Sequence, residues 1–258
     1  MQINKGYLFF KRAFDIFCAI IGLLLSSLVW LIAIIGIEIS NPGPIFYLAN
    51  RVGKGGKAFK MFKFRSMRVA KEANEKSFKA DTDRIFKFGK FLRSSKIDEL
   101  PQLLNILFGD MSVVGPRPAS KDQVEIVRAG KYADIACMRP GLTAHSALYD
   151  YIYGDTIEDE EKYERLVLPT RLDLELVYIK KCGFWTDIKL IFQTVNCIIM
   201  TVLGKQPKKL LRKLEQMAEE ERVVSGGVPQ YKNNAEVKSE FDNMEFDFEE
   251  VAITLDEE

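Results

Sequence analysis

From Ile16 to Ile37 the chain carries no charged side chain. At ~1.5 Å per helical residue, such a run is long enough to cross a hydrocarbon core of ~30 Å. Cations stand on both sides of it: Lys5, Lys11 and Arg12 before, and Arg51, Lys54, Lys57, Lys60, Lys63, Arg65 and Arg68 after. Basic flanks normally stay on the cytoplasmic face. A straight span must export one flank, whereas a segment that enters the bilayer, bends and returns keeps both. Ser26 and Ser27, at the middle, are placed to assist a bend by bonding back to helix carbonyls. These residues leave the re-entrant and the spanning form both open. A secretory signal fits poorly, because the apolar run is too long and no small-residue cleavage site follows it.

After the apolar segment, "SNPGP" (Ser40 to Pro44) is a turn, since proline cannot continue a helix. "IFYLANRVG" and "KAFKMFKFRSM" are aromatic and β-branched runs separated by "KGGK", which predicts a β-hairpin. Period-two alternation puts Met61, Lys63 and Arg65 on one face of its second strand and Phe62 and Phe64 on the other. A short amphipathic helix is predicted over Asp81 to Leu92, and a second within "FLRSSKIDELPQLLNILFG", ended by Gly109. "MRPGLT" reads as a turn. "EDEEKYERLVLPTRLDLELVYIKK" is helical with a break at Pro169. In "FWTDIKLIFQTVNCIIMTVL", Asp187 and Lys189 argue against a full crossing and favour a helix in the interface or on the core.

Composition sets the outer limits. The 258 residues, 47% of them hydrophobic, suffice for one substantial core and an appendage. The net charge of +1 conceals an asymmetry: Arg51 to Arg68 is basic, while Glu236 to Glu258 holds ten acids against Lys238. An anionic partner is therefore expected at the first half. "KQPKKLLRKLEQMAEEER" reads as a charged helix, and the chain from Ser225 onward as a disordered tail. The four cysteines lack metal or redox spacing and are expected to be reduced thiols. "GKGGK" is not a phosphate loop, because G-x-x-x-x-G-K-[ST] is not met and a strand follows.

The chemistry concentrates in "IDELPQLLNILFGDMSVVGPRP", Ile97 to Pro118. Asp98 is placed to cap the following helix, where the helix N-terminus would favour its ionised form. Adjacent Asp98 and Glu99 suit a hard cation such as Mg²⁺, which shares oxygen ligands with substrate phosphates. Pro116 and Pro118 restrict the backbone around Arg117, and arginine's planar fork suits phosphate. An acid pair, a rigid arginine, a cationic strand face and a membrane segment together describe a site for a phosphorylated substrate at a bilayer surface.

On these residues the chain resembles the bacterial sugar transferase family, the small monotopic polyprenyl-phosphate phosphoglycosyl transferases. The matching stretches are "KRAFD", "NPGPIFY", "NRVGKGGKAFKMFKFRSM", "LRSSKIDELPQLLNILFGDMSVVGPRP" and "RPGLT", in the family's order over roughly Lys11 to Leu203. The resemblance implies that Asp98 is a covalent nucleophile that takes a phospho-sugar from a UDP-sugar, with Mg²⁺ present and UMP leaving. Undecaprenyl phosphate then accepts it. Glu99 matches the second acid, as metal partner or proton acceptor. Arg117, framed by Pro116 and Pro118, is expected to bind substrate, with Lys63, Arg65 and Arg139 as further phosphate or head-group contacts. The family implies a re-entrant helix, but this chain has Ser26, Ser27 and Leu28 where relatives usually have Ser-Pro. A second departure follows "RPGLT", in "AHSALYDYIYGDTIEDEEKYERLVLPTR", where His145 suits either sugar contact or polar packing.

The expected class is α+β: an N-terminal re-entrant membrane helix (1–40), a cytoplasmic catalytic core of a small hairpin and amphipathic interfacial helices (41–204), and a charged helix with an acidic tail (205–258). Expected partners are a UDP-sugar, undecaprenyl phosphate, membrane lipid and a second copy in a homodimer; nucleic acid is not among them. The expected location is the cytoplasmic face of a bacterial inner membrane. Two other classes compete: a non-catalytic, membrane-tethered basic module, and an Asp-dependent phosphatase of the D-x-D type, whose motif follows no apolar strand here.

Overall fold

The computed structural model describes residues 3–69, 82–157 and 159–226. It is mixed helix and strand, mostly helical. Two apolar helices open the chain, α1 (Lys5–Leu25) and α2 (Ser27–Ser40), and they meet at a bend of 60°. Neither alone is long and apolar enough to cross a membrane. The bend needs no proline: the Ser26 backbone leaves the helical region at ψ 1°, while its N–H still donates to Gly22 O. The expected serine back-bond does not form at Ser26, whose buried hydroxyl has no partner.

The predicted hairpin is present as β1 (Phe46–Val52) and β2 (Ala58–Phe64), antiparallel with Phe46 opposite Phe64 and Val52 opposite Ala58. Farther on, β3 (Ser112–Val114), β4 (Ala119–Ser120) and β5 (Gly141–Thr143) add short pairings, β4 on β1 and β3 parallel to β5. Between these lie α3 (Lys87–Ser94) and α4 (Gln102–Phe108), then α5 (Val124–Val127), α6 (His145–Ile152), α7 (Glu160–Lys162), α8 (Leu168–Lys181), α9 (Phe184–Val202) and α10 (Lys208–Val224).

Two helix predictions need correction. The one expected over Asp81 to Leu92 starts only at Lys87, because Ile85 bridges Met67 and Phe86 is extended; Asp81 lies outside the described residues. The break expected at Pro169 does not occur. Helical geometry runs on through a π-turn at Tyr163–Val167, directly ahead of the proline, and Pro169 occupies the first turn of α8, where its missing N–H is tolerated.

The bent pair positions the rest. Gly22 on α1 touches Leu103 of α4, and Gly36 on α2 lies under the Phe88 ring of α3, where a Cβ would come within 2.4 Å of ring carbons. Each arm thus holds one of the helices on either side of Ile97–Glu99. β2 is a sheet edge, and Asn105 of α4 satisfies it: Oδ1 accepts from Phe62 N–H at 2.9 Å and Nδ2 donates to Lys60 O at 2.7 Å. α4 ends at Gly109, in the left-handed region at φ 90°, as expected.

The largest core cluster gathers Tyr149, Tyr153, Leu174, Tyr178, Leu190 and Leu214 around α6, α8, α9 and α10. α10 packs on α8, and Arg222 pairs with Asp173 at 2.8 Å. The expected acidic tail lies beyond Gly226, outside the described residues.

Candidate functional site

Asp98 and Glu99 lie on a single 3-10 turn, Ile97–Glu99, ahead of the α-helix rather than on it. The turn is launched by Lys96 at φ 57°, the one non-glycine residue with positive φ among the described residues. For a lysine this backbone costs on the order of 1–2 kcal/mol, and it lies between α3 and α4, the two helices the sequence predicts on either side of it. The cap expected at Asp98 is not made, since α4 begins after Pro101 without a side-chain cap. Asp98 instead turns inward, 4% exposed, with Oδ1 buried and unpartnered. Its Oδ2 is 4.0 Å from Lys63 Nζ, which also meets Glu99 Oε1 at 3.2 Å.

The two carboxyls are driven in opposite directions. Burial pushes Asp98 above the usual carboxylate range, Lys63 opposes this, and the neighbouring Glu99 charge adds to the rise. Burial also acts on Glu99, but Lys63, Lys96 and Arg117 outweigh it and hold that carboxyl at about 2. Glu99 is therefore a fixed anion, and Asp98 is the carboxyl whose charge lacks full compensation. The dipole effect expected at Asp98 does not dominate.

Arg117 closes the opposite side. Pro116 O accepts from Gly141 N–H at 2.8 Å, and Gly141 packs so tightly on Gly115 that a Cβ would lie 2.0 Å from Gly115 N. This anchors the loop from its neighbouring strand. The Arg117 side chain is 40% exposed, with Nε 3.4 Å from Asp150 Oδ2 on α6. Asp150 also faces Arg171 at 3.6 Å and accepts from Tyr163 OH at 2.7 Å. Beside them Lys96 Nζ stands 4.4 Å over the Tyr151 ring and 3.6 Å from Asp155, and Tyr151 OH donates to Ser94 O at 2.9 Å.

Of the residues singled out in the sequence, Asp98, Glu99, Lys63 and Arg117 are brought together, with Pro116 in the loop's anchor and Pro118 following it. Arg65 and Arg139 are not brought to the acid pair. Arg65 donates to Asn41 O and Oδ1 and to Pro44 O, and so fastens the turn between α2 and β1. Arg139 donates to Gly109 O at 2.7 Å at the far end of α4, beside Arg12, which donates to Ile106 O and Leu107 O. That end is about 10 Å of helix away from the acid pair. His145 is buried and pushed down to about 4 by burial and by Lys189, Lys213 and Lys181, so it packs as a neutral ring.

Lys96, Asp150, Tyr151, Asp155, Tyr163 and Arg171 are additions to the residues singled out in the sequence. Lys96 lies two positions before Asp98, close enough for local spacing to have linked them. The others lie 50 or more positions downstream of Asp98, and no local spacing links them to it.

The profile of the bacterial sugar transferase family matches residues 6–201. The chain belongs to that family. It is similar to the UDP-N-acetylgalactosamine-undecaprenyl-phosphate N-acetylgalactosaminephosphotransferase of Aeromonas hydrophila, at 35% identity over 75% of this chain and 44% of that protein. Similarity extends to the UDP-glucose:undecaprenyl-phosphate glucose-1-phosphate transferases of Klebsiella pneumoniae (37%; 75% and 41%) and Caulobacter vibrioides (33%; 74% and 70%). The chain thus spans less than half the length of the first two of these relatives, whereas the Caulobacter protein is covered over most of its length. The acid pair and the proline-framed arginine lie inside the matched region, and α10 follows it.

Proposed function

We propose that this chain transfers a phospho-sugar from a UDP-sugar to undecaprenyl phosphate through a covalent intermediate on Asp98. The observation that carries the reading is the buried, unpartnered Asp98 Oδ1, set beside Lys63 and Lys96, with Arg117 acting on the neighbouring Glu99. An Asp98 oxygen attacks the β-phosphorus of the donor. The bond from that phosphorus to the bridging oxygen breaks, and UMP leaves with the electron pair. A phosphate oxygen of the polyprenyl acceptor then attacks the same phosphorus, and the acyl-phosphate bond breaks to restore the carboxylate. The product is undecaprenyl-diphosphate-sugar.

Arg117 and Lys96 bind and orient the diphosphate, and Lys63 holds Glu99 as an anion beside it. A carboxyl held at about 2 is a weak base, so Glu99 fits the metal-partner role better than that of proton acceptor. Asp98 and Glu99 would hold Mg²⁺. No group of three or more His, Cys, Asp or Glu side chains converges among the described residues. That suits magnesium, which ordinarily takes one or two protein carboxylates and completes its shell from phosphates and water. When bound, it would neutralise charge on the diphosphate. Chelating divalent metal is expected to stop UMP release, and unchanged turnover in excess chelator would remove magnesium from the reading.

Residues 1–40 are proposed as a re-entrant membrane segment, 41–204 as the catalytic unit on the cytoplasmic face of a bacterial inner membrane, and 205–258 as a helix and tail. Two features support this: the 60° bend between basic flanks, and apolar exposure along both arms, from Phe9, Phe17 and Leu25 to Leu28, Leu31 and Ile39. α9 adds Trp185, Phe192, Val195, Ile199 and Val202 at helical spacing, which supports an interfacial position. Single cysteines introduced at Lys5 and Lys54 are expected to react with an impermeant reagent from the same membrane face. Labelling from opposite faces would establish a full crossing.

The transfer itself is tested by UMP release from a panel of UDP-sugars with undecaprenyl phosphate and Mg²⁺. Acceptor-dependent release from one donor is expected. Lipid binding with no turnover on any donor would favour a non-catalytic tethered module.

A further inference from the structure

Asp150 is 4% exposed on α6, and its single carboxylate faces two guanidinium groups. Oδ2 is 3.4 Å from Arg117 Nε and 3.6 Å from Arg171 Nη1, while Oδ1 accepts from Tyr163 OH at 2.7 Å. Arg171 is 10% exposed in its side chain and donates to the same tyrosine oxygen at 2.7 Å. Arg171 is thus an interior anchor, whereas Arg117, at 40%, opens toward the acid pair. The contact to Asp150 runs through Nε, and no side-chain or backbone acceptor takes either Nη group of Arg117 among the described residues.

The flanking prolines restrict the backbone on either side of Arg117 but leave its side-chain torsions free. Asp150 supplies the missing constraint at the far end. We propose that Asp150 is a positioning residue, which grips Arg117 by Nε so that the Nη fork meets the donor's diphosphate as a bidentate clamp. The proposal rests on the transferase reading above. Without the carboxylate charge, Arg117 and Arg171 face each other across a neutral group, and repulsion drives the exposed one of the two outward.

The test is a double-mutant cycle on UDP binding to the full chain in detergent with Mg²⁺, by calorimetry. Asp150→Asn is expected to weaken UDP by roughly tenfold, and to change affinity by no more than about twofold when Arg117 is already alanine. Equal losses in both backgrounds would make Asp150 purely structural and overturn the proposal, as would an unchanged affinity in the single variant. If the asparagine variant does not fold, Asp150→Glu takes its place in the same cycle, since the displaced charge shifts Arg117 and its effect too must vanish without Arg117. A wild-type protein that binds no UDP would instead overturn the transferase reading, and this inference with it.

Discussion

Asp98→Asn is expected to abolish phospho-sugar transfer, with a loss on the order of 10⁴-fold or more, because an amide cannot form the acyl phosphate on which both half-reactions depend. The fold should survive the change. Asp98 caps no helix, its Oδ1 has no partner, and its nearest cation is 4.0 Å away and also paired with Glu99. Burial raises the Asp98 pKa, so in the folded protein its ionised form is disfavoured relative to the unfolded chain. Stability from this group is therefore lost as pH rises from the unfolded toward the folded pKa, and at neutral pH its charge is a burden. Removing that charge should leave the melting temperature unchanged or higher. Turnover within tenfold of wild type would refute Asp98 as nucleophile, and a large drop in melting temperature would refute its lack of structural partners.

The largest stability effect is expected far from the acid pair, at Asp187. This carboxylate, on the first turn of α9, accepts from Lys11 Nζ at 2.6 Å and from Tyr7 OH and Tyr178 OH at 2.8 Å each. Lys11 and Asp187 are 5% and 4% exposed in their side chains. One side chain therefore joins α1, α8 and α9. Asp187→Ala would leave a buried ammonium without its counter-charge and two hydroxyls without an acceptor, a change that costs about 3–5 kcal/mol. In a chain of this size that lowers the melting temperature by roughly 10 °C. Thermal unfolding in detergent measures it, and a shift of less than about 3 °C would mean that Lys11 reaches water or another partner. Asp187→Asn, which keeps the shape and loses the charge, should fall between the two.

Features written in local periodicity are legible in the sequence. The apolar N-terminal stretch, though not its bend, the hairpin around Lys54–Gly56, the cationic strand face at Lys63 and the stop at Gly109 each follow from spacing or from one residue's backbone freedom. The inward turn of Asp98 is not, because an acid ahead of an apolar helical run reads equally well as an N-cap, a cap that the structure does not make. The left-handed backbone of Lys96 launches that turn, and lysine gives no sign of it. Arg65 and Arg139 expose a related limit: a guanidinium suits a phosphate and a backbone carbonyl equally, so residue type says nothing of which one it faces. The α6 side of the site is hidden by distance along the chain. Asp150 meets Arg117, Tyr163 and Arg171 only through the packing of α6 on α8.

The most direct test is mass spectrometry of the protein after incubation with its UDP-sugar and Mg²⁺ and no lipid acceptor. A phospho-sugar adduct is expected on the peptide containing Asp98, formed with one equivalent of UMP and discharged when undecaprenyl phosphate is added. UMP release that occurs only with the acceptor present, with Asp98 unmodified throughout, would contradict the covalent route and point to direct transfer between the two substrates.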